Sequence, residues 1–136
     1  MNIRFHHIAL VIKNLESKID WYCQIYAAKP MGSIFVDEQQ KVKVQFIGST
    51  DFLIELLEPL NHDSPINSFL SEHGSGTLYH IAYEVEDLIE IEKEVRARNG
   101  LVISKTDNGW RGMEVMFAVF IDESMEKQII EYVKIK

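Results

Sequence analysis

A ten-residue segment occurs twice in this chain, and the duplication limits the possible folds more than any other feature. Residues 6–15 align with residues 79–88 at an offset of 73 residues, and both segments contain His-Ile-Ala. Further along each half, residues 54–56 align with residues 130–132 at an offset of 76 residues. A sequence that repeats in this way is typical of two copies of one supersecondary unit.

Each copy is predicted to contain a strand, a helix and three further strands. In the first copy, alternating apolar residues predict a strand over residues 3–12. Helical spacing then predicts a helix with Asn14 as its N-cap, and the helix ends at Lys29-Pro30. The three strands that follow are predicted at residues 33–37, 42–47 and 52–57.

The second copy repeats this order. A strand is predicted over residues 78–85, followed by a helix that Asp87 caps and Gly100 stops. Between the copies, Ser64-Pro65 predicts the start of a short helix that runs to about Glu72. The last three strands are predicted near residues 101–104, 113–120 and 128–134.

These elements predict an α+β fold of two tandem βαβββ modules. The modules cover about residues 1–60 and about residues 77–136, and a linker of about residues 61–76 joins them. A chain of 136 residues has the length of one domain. The modules could pair within one chain or across a dimer, and the sequence fits both arrangements.

The composition excludes several classes of protein. The sequence lacks the roughly 20 consecutive apolar residues of a membrane span, and its start lacks the apolar region of a signal peptide. With Cys23 as its single cysteine it cannot form an intrachain disulfide, which fits a reducing cytoplasm. The formal net charge of −7 argues against a nucleic-acid partner. We therefore expect a cytoplasmic protein that binds neither nucleic acid nor membrane.

Two histidines and two glutamates lie at equivalent positions of the two copies. The histidines are His7 and His80, and the glutamates are Glu55 and Glu131. Both glutamates lie in strands that are otherwise apolar, where an ionised carboxylate is rarely buried without a partner. One such residue alone would be interpreted as structural, but four that the duplication relates in pairs indicate a site. Two imidazoles and two carboxylates suit a divalent transition metal and leave room for water or substrate oxygens.

The layout resembles the vicinal oxygen chelate superfamily, which includes glyoxalases, bleomycin resistance proteins and dioxygenases. Residues 54–60, 63–66 and 79–85 are most similar to the methylmalonyl-CoA epimerase family. The resemblance implies that the two modules form a cupped mixed sheet around one divalent ion, which would be Zn, Co, Ni or Mn. It also implies the ligands of that ion, which are His7, Glu55, His80 and Glu131.

The last part of the chain departs from the epimerase pattern. Residues 109–112, Gly-Trp-Arg-Gly, match the glycine-rich loop of these enzymes. Residues 117–121 replace their Phe-Leu-His-Pro segment, and residues 122–127 replace a turn that contains glycine. These departures affect the assignment of the substrate more than the assignment of the metal ligands.

The resemblance implies a metal-dependent epimerase or isomerase that removes a proton next to a chelated carbonyl. Its substrate would be methylmalonyl-CoA or a similar acyl thioester, and we expect a homodimer. Glu131 is the expected acid/base group, and Glu55 is the expected group for the opposite face of the substrate. Gln45 is also polar, but it is a poor base, so its expected role is positioning or none. The alternatives are a lactoylglutathione lyase of the glyoxalase I type and a metal-free drug-binding protein of the resistance type.

Overall fold

The computed structural model describes residues 2–107 and 109–135 and has the predicted α+β architecture. Within these residues, strands and helices follow one another in the order of two successive βαβββ modules, with one short extra strand after the first helix and one extra helix between the modules. The elements are β1 (Ile3–Val11), α1 (Ile19–Tyr26), β2 (Lys29–Pro30), β3 (Phe35–Asp37), β4 (Val42–Gly48), β5 (Leu53–Pro59), α2 (Asn67–His73), β6 (Thr77–Val85), α3 (Leu88–Ala97), β7 (Leu101–Thr106), β8 (Glu114–Ile121) and β9 (Lys127–Lys134).

The chain divides into two compact units. The first unit contains residues 7–79, and the second contains the residues up to His6 together with those from His80 onward. None of the helices within the described residues is long and apolar enough to span a membrane.

In the first unit, β5 pairs in parallel with β1 and antiparallel with β4. The short strands β2 and β3 both pair with β4. Helix α1 packs on one face of these strands, where Tyr22 joins a buried cluster with Leu10, Ile47 and Leu56. Cys23 packs against the same cluster.

The second unit repeats this arrangement. Strand β9 pairs in parallel with β6 and antiparallel with β8, which in turn pairs with β7. Helix α3 covers one face, where Ile91 and Val95 pack against Met116 and Tyr132. In both units the opposite face of the strands carries the paired histidine and glutamate.

The predicted N-cap of α1 is wrong. The helix begins at Ile19, and residues 15–18 form a turn before it. The Leu15 amide donates to Glu58 Oε1 at 2.6 Å, so a side chain of β5 satisfies a backbone group that a local cap would otherwise serve. Asn14 Oδ1 accepts only a long hydrogen bond, 3.4 Å, from the Ser17 amide.

The predicted start of α2 is also wrong. The helix begins at Asn67, and Ser64 lies in the turn before it, where its carbonyl accepts a hydrogen bond from the Asn67 amide at 3.2 Å. Ile66 is buried in the core and is the residue that precedes the helix. No side chain caps this helix, so the Ser-Pro signal predicts its start about two residues too early.

The predicted cap of α3 is confirmed, because the Asp87 carboxylate accepts hydrogen bonds from the Ile89 and Glu90 amides. At the other end, Asn99 and not Gly100 adopts the left-handed conformation, with φ of 62°. Gly100 is required for a different reason. A Cβ atom there would lie 2.7 Å from atoms of Val95 and Phe120, so only glycine fits.

Candidate functional site

The first unit brings His7 and Glu55 together on neighbouring parallel strands. The register pairs Ala9 of β1 with Glu55 of β5, and His7 lies on the same face of β1 as Ala9 because side chains alternate along a strand. The distance from His7 Nε2 to Glu55 Oε1 is 3.3 Å. The His7 side chain is 1% exposed and the Glu55 side chain is 12% exposed.

The second unit builds the same pair with the same register. Ala82 of β6 pairs with Glu131 of β9, and His80 lies two residues before Ala82 on the same face. The distance from His80 Nε2 to Glu131 Oε1 is 3.5 Å, and both side chains are buried. In each unit, therefore, an alanine opposite the glutamate leaves room for the histidine and the carboxylate to meet.

A phenylalanine packs against the histidine of each pair, and neither phenylalanine was predicted from the sequence. Phe46 lies directly across from Glu55, and Phe117 lies directly across from Glu131. The ring of Phe46 meets that of His7 nearly at a right angle, with 5.4 Å between the centroids. The corresponding distance from Phe117 to His80 is 5.1 Å. Such edge contacts orient the imidazole rings.

The sequence does carry a signal for these phenylalanines. Val44-Gln45-Phe46 and Val115-Met116-Phe117 share a Val-x-Phe pattern at an offset of 71 residues. The pattern is too short to stand out until the registers pair each phenylalanine with its glutamate.

Gln45 does not belong to this site. It lies across from Leu56, on the face of the sheet that packs against α1. Its buried amide group donates to the carbonyl oxygens of Gly32, at 3.0 Å, and of Phe46, at 2.8 Å. Gln45 therefore ties the loop before β3 to β4, which agrees with the expectation that it is not an acid/base group.

Each pair offers one imidazole nitrogen and one carboxylate oxygen in a largely dry environment. Burying a carboxylate costs several kcal/mol unless a partner compensates for the lost water, so the carboxylates of Glu55 and Glu131 need their partners. Nitrogen and oxygen donors of this kind suit divalent transition metals such as zinc. The residues present thus fit the ion that the sequence analysis expects.

The sequence matches the Glyoxalase/Bleomycin resistance protein/Dioxygenase superfamily over residues 6–117. The matched region contains most of the chain, and the chain therefore belongs to this superfamily. In this chain, each of the two repeated units contains one buried His/Glu pair.

Within the superfamily, the chain is similar to epimerases. It is 31% identical over 118 residues to a mitochondrial methylmalonyl-CoA epimerase of Dictyostelium discoideum, which covers 84% of this chain and 69% of the relative. It is also 31% identical over 116 residues to an ethylmalonyl-CoA/methylmalonyl-CoA epimerase of Cereibacter sphaeroides, covering 84% and 86% of the two chains.

The crystal structure of a methylmalonyl-CoA epimerase from Mycobacterium tuberculosis has the same fold. Its TM-score is 0.84 at 20% identity, and the match covers 98% of this chain and 88% of that one. Fold and sequence similarity together class this chain as an enzyme.

Proposed function

We propose that this enzyme is a metal-dependent epimerase that acts on methylmalonyl-CoA or a closely related acyl-CoA. The similarity to epimerases over most of the chain supports the reaction class. The observation that carries the proposal is the pair of matched, buried His/Glu contacts, at 3.3 Å and 3.5 Å. A structural histidine explains one such contact, but it does not explain the same register and the same phenylalanine in both units.

The proposed ligands of the ion are His7, Glu55, His80 and Glu131. They supply two imidazoles and two carboxylates, which satisfies part of the coordination shell of a divalent ion and leaves positions for a substrate. A divalent cation held there would act as a Lewis acid toward a carbonyl oxygen on which negative charge develops.

The proposed acid/base groups are Glu131 and Glu55. Epimerisation removes the α-proton from one face of the substrate and returns a proton to the other, so two groups are needed unless one of them moves. Glu131 takes the proton from one epimer, and Glu55 takes it from the other. With Gln45 on the opposite face of its strand, Glu55 is the remaining candidate that the sequence analysis named for the second group.

The test combines metal analysis with an isotope experiment. We expect about one divalent ion per chain, and a strong loss of that ion in His7→Ala and in His80→Ala, because each replacement removes a nitrogen ligand. The metal-loaded enzyme should exchange the α-hydrogen of methylmalonyl-CoA with deuterium in heavy water and interconvert the epimers.

Undiminished metal in both histidine variants would contradict the proposed ligands. Formation of a hydroxyacyl thioester from methylglyoxal and a thiol, without α-exchange of methylmalonyl-CoA, would instead identify a lyase. The expectation of a homodimer stays a prediction, for which the molar mass in solution is the measurement.

A further inference from the structure

The structure distinguishes Arg111 from two other basic side chains, Lys43 and Lys105. Lys43 donates a hydrogen bond to Glu16 at 3.0 Å, and Lys105 forms an ion pair with Glu92. Both lysines therefore already have a carboxylate partner. Arg111 has no acidic partner among the described residues, and it contacts an aromatic ring.

The aromatic ring belongs to Trp110. The guanidinium carbon of Arg111 lies 4.2 Å from the centroid of this ring, which is the geometry of a cation–π contact. Trp110 in turn packs against a buried cluster that includes Val115 and Phe117. Since Phe117 contacts the ring of His80, this cluster lies on the face of the second unit that carries the His/Glu pair. The tryptophan thus holds Arg111 on that face.

The backbone holds Arg111 in a conformation that most residues avoid. Its φ of 56° and ψ of 30° are left-handed, which is unfavourable for a residue with a Cβ atom. The turn around it is closed by hydrogen bonds of 2.8 Å from the Gly109 amide to Met113 and from the Gly112 amide to Gly109. These hydrogen bonds hold the turn closed, so the left-handed conformation of Arg111 persists.

The position of Arg111 suits a group far from the reacting carbon. Extended chain rises about 3.3 Å per residue, so Glu114 at the start of β8 lies about 10 Å along the strand from Phe117, and Arg111 lies in the turn before Glu114. A carboxylate on the reacting carbon would lie within a few bond lengths of the His/Glu pair. The phosphates of a CoA substrate lie at the far end of a long pantetheine arm, and guanidinium groups bind phosphate oxygens in pairs.

We propose that Arg111, held by Trp110, binds a phosphate group of the acyl-CoA substrate. This inference rests on the proposed function, because it identifies the part of the same substrate that lies away from the metal. Arg111 is then a determinant of specificity for CoA thioesters, and it takes no part in proton transfer.

The test compares two substrates of one reaction, methylmalonyl-CoA and the methylmalonyl thioester of N-acetylcysteamine, which has no phosphate. With Arg111→Gln, we expect KM for the CoA thioester to rise about tenfold, as for loss of a charge-assisted contact at an exposed site. The kcat of this variant should stay within about twofold, since the reacting groups are unchanged. KM for the short thioester should not change.

Two control variants separate this effect from general charge and from misfolding. Lys105→Gln removes one positive charge from the neighbouring strand β7 and should leave KM for both substrates unchanged. Arg111→Gly removes the guanidinium but suits the left-handed backbone, so it should keep Tm at or above that of the parent while raising KM for the CoA thioester.

Calorimetric binding of CoA itself provides a measurement that does not depend on turnover. The parent should bind CoA about tenfold more tightly than Arg111→Gln, by the same loss of one charge-assisted contact. Equal losses with both thioesters would assign Arg111 to the substrate carboxylate, and unchanged CoA binding would show an ordinary surface charge. Either result, like failure of the parent to bind CoA, overturns the inference. If Arg111→Gln binds CoA more weakly but the parent does not exchange the α-hydrogen of methylmalonyl-CoA, the proposed function is rejected and the role of Arg111 in binding CoA stands.

Discussion

The two copies of the repeated unit have the same site residues but differ in the segments that lead into and out of their strands. In both, a parallel register places an alanine opposite the glutamate, and a phenylalanine packs on the histidine. The turn before α1 is bound by Glu58 of β5, whereas α3 has a local cap in Asp87. The shared features are thus those that hold the His/Glu pair, and the differing ones satisfy backbone groups in each copy separately.

The turns before β4 and β8 differ more strongly. The turn before β4 is closed by the Asp37 carboxylate, which accepts a hydrogen bond from the Gln40 amide at 3.0 Å. Both turns contain a left-handed residue, Lys41 with φ of 58° and Arg111 with φ of 56°, and the turn before β8 adds the contact of Arg111 with Trp110. Under the proposed function, both copies bind the same ion. A difference between their turns is then expected where the substrate contacts one copy and does not contact the other. The comparison can therefore be tested copy by copy.

The largest expected effect concerns the two carboxylates. Glu131→Gln and Glu55→Gln should each slow epimerisation by about 10²–10⁴-fold, the usual cost of losing a general base. Each variant keeps one carboxylate, which can remove the α-proton from one face of the substrate. Each should therefore still exchange the α-hydrogen of one epimer with deuterium, and the two variants should act on opposite epimers.

Separate exchange rates for the two epimers, measured in heavy water, check this prediction. Full epimerisation by Glu55→Gln would mean that the second acid/base group is another residue. Circular dichroism of both variants serves as the control for folding.

The next effect concerns the two phenylalanines. Phe46→Ala and Phe117→Ala should each lower the free energy of unfolding by about 3–5 kcal/mol, because a large buried side chain is lost and a cavity is left. Phe46 is 1% exposed and Phe117 is 7% exposed, so we expect the larger loss for Phe46. Urea denaturation measures both values, with the leucine variants as controls that keep most of the volume. A loss below 1 kcal/mol in either alanine variant would contradict the equivalence of the two copies.

A smaller effect is expected at the helix starts. Asp87→Ala should lower the free energy of unfolding by about 1 kcal/mol, since it removes the acceptor of two amide hydrogen bonds. Asn14→Ala should cost less than about 0.5 kcal/mol, because its hydrogen bond to Ser17 is long and does not cap α1. Thermal unfolding of both variants gives the comparison, and equal losses would restore Asn14 as a cap.

The smallest expected effect concerns Glu92, a partly exposed carboxylate of the second copy. The hydrogen bond from Lys105, and after it the one from Arg96, lowers the pKa of Glu92. A carboxylate with a lowered pKa stabilises the fold above its pKa in the unfolded chain, about 4.3, and that stabilisation is lost as the pH falls through the lower value. The stability difference between the parent and Glu92→Gln should therefore shrink as the solution is acidified below pH 4. A difference that persists at low pH would show that it does not arise from this charge.

Most strand positions could be predicted from the sequence, and the starts of α1 and α2 could not. Apolar alternation located β1, β4, β6 and β9 to within about two residues, because one face of each strand packs in a core. The start of α1 depended on Glu58, a residue of β5 that is 43 positions away from Leu15. Local cap signals carry no information about such distant partners.

A local side chain, by contrast, forms the turn that replaces the glycine-containing turn of the epimerases. Asp122 accepts hydrogen bonds from the amides of Ser124, at 3.0 Å, and of Glu126, at 2.8 Å. Met125 adopts the left-handed conformation there, with φ of 70°. An aspartate and a strained methionine thus form a turn that the sequence pattern associates with glycine, because side-chain hydrogen bonds can compensate for an unfavourable backbone conformation.

By itself, the sequence determined the duplicated βαβββ order and the pairing of one histidine with one glutamate in each copy. Both follow from periodicity and from an internal repeat, which are local properties of the chain. Three features were visible only in the folded chain. Gln45 faces away from Glu55, and Phe46 and Phe117 pack against the histidines. Arg111, unlike Lys43 and Lys105, has no carboxylate partner in the described residues. These features depend on strand register and on contacts between residues far apart in the chain, and a one-residue change of register would reverse which side chains face the site.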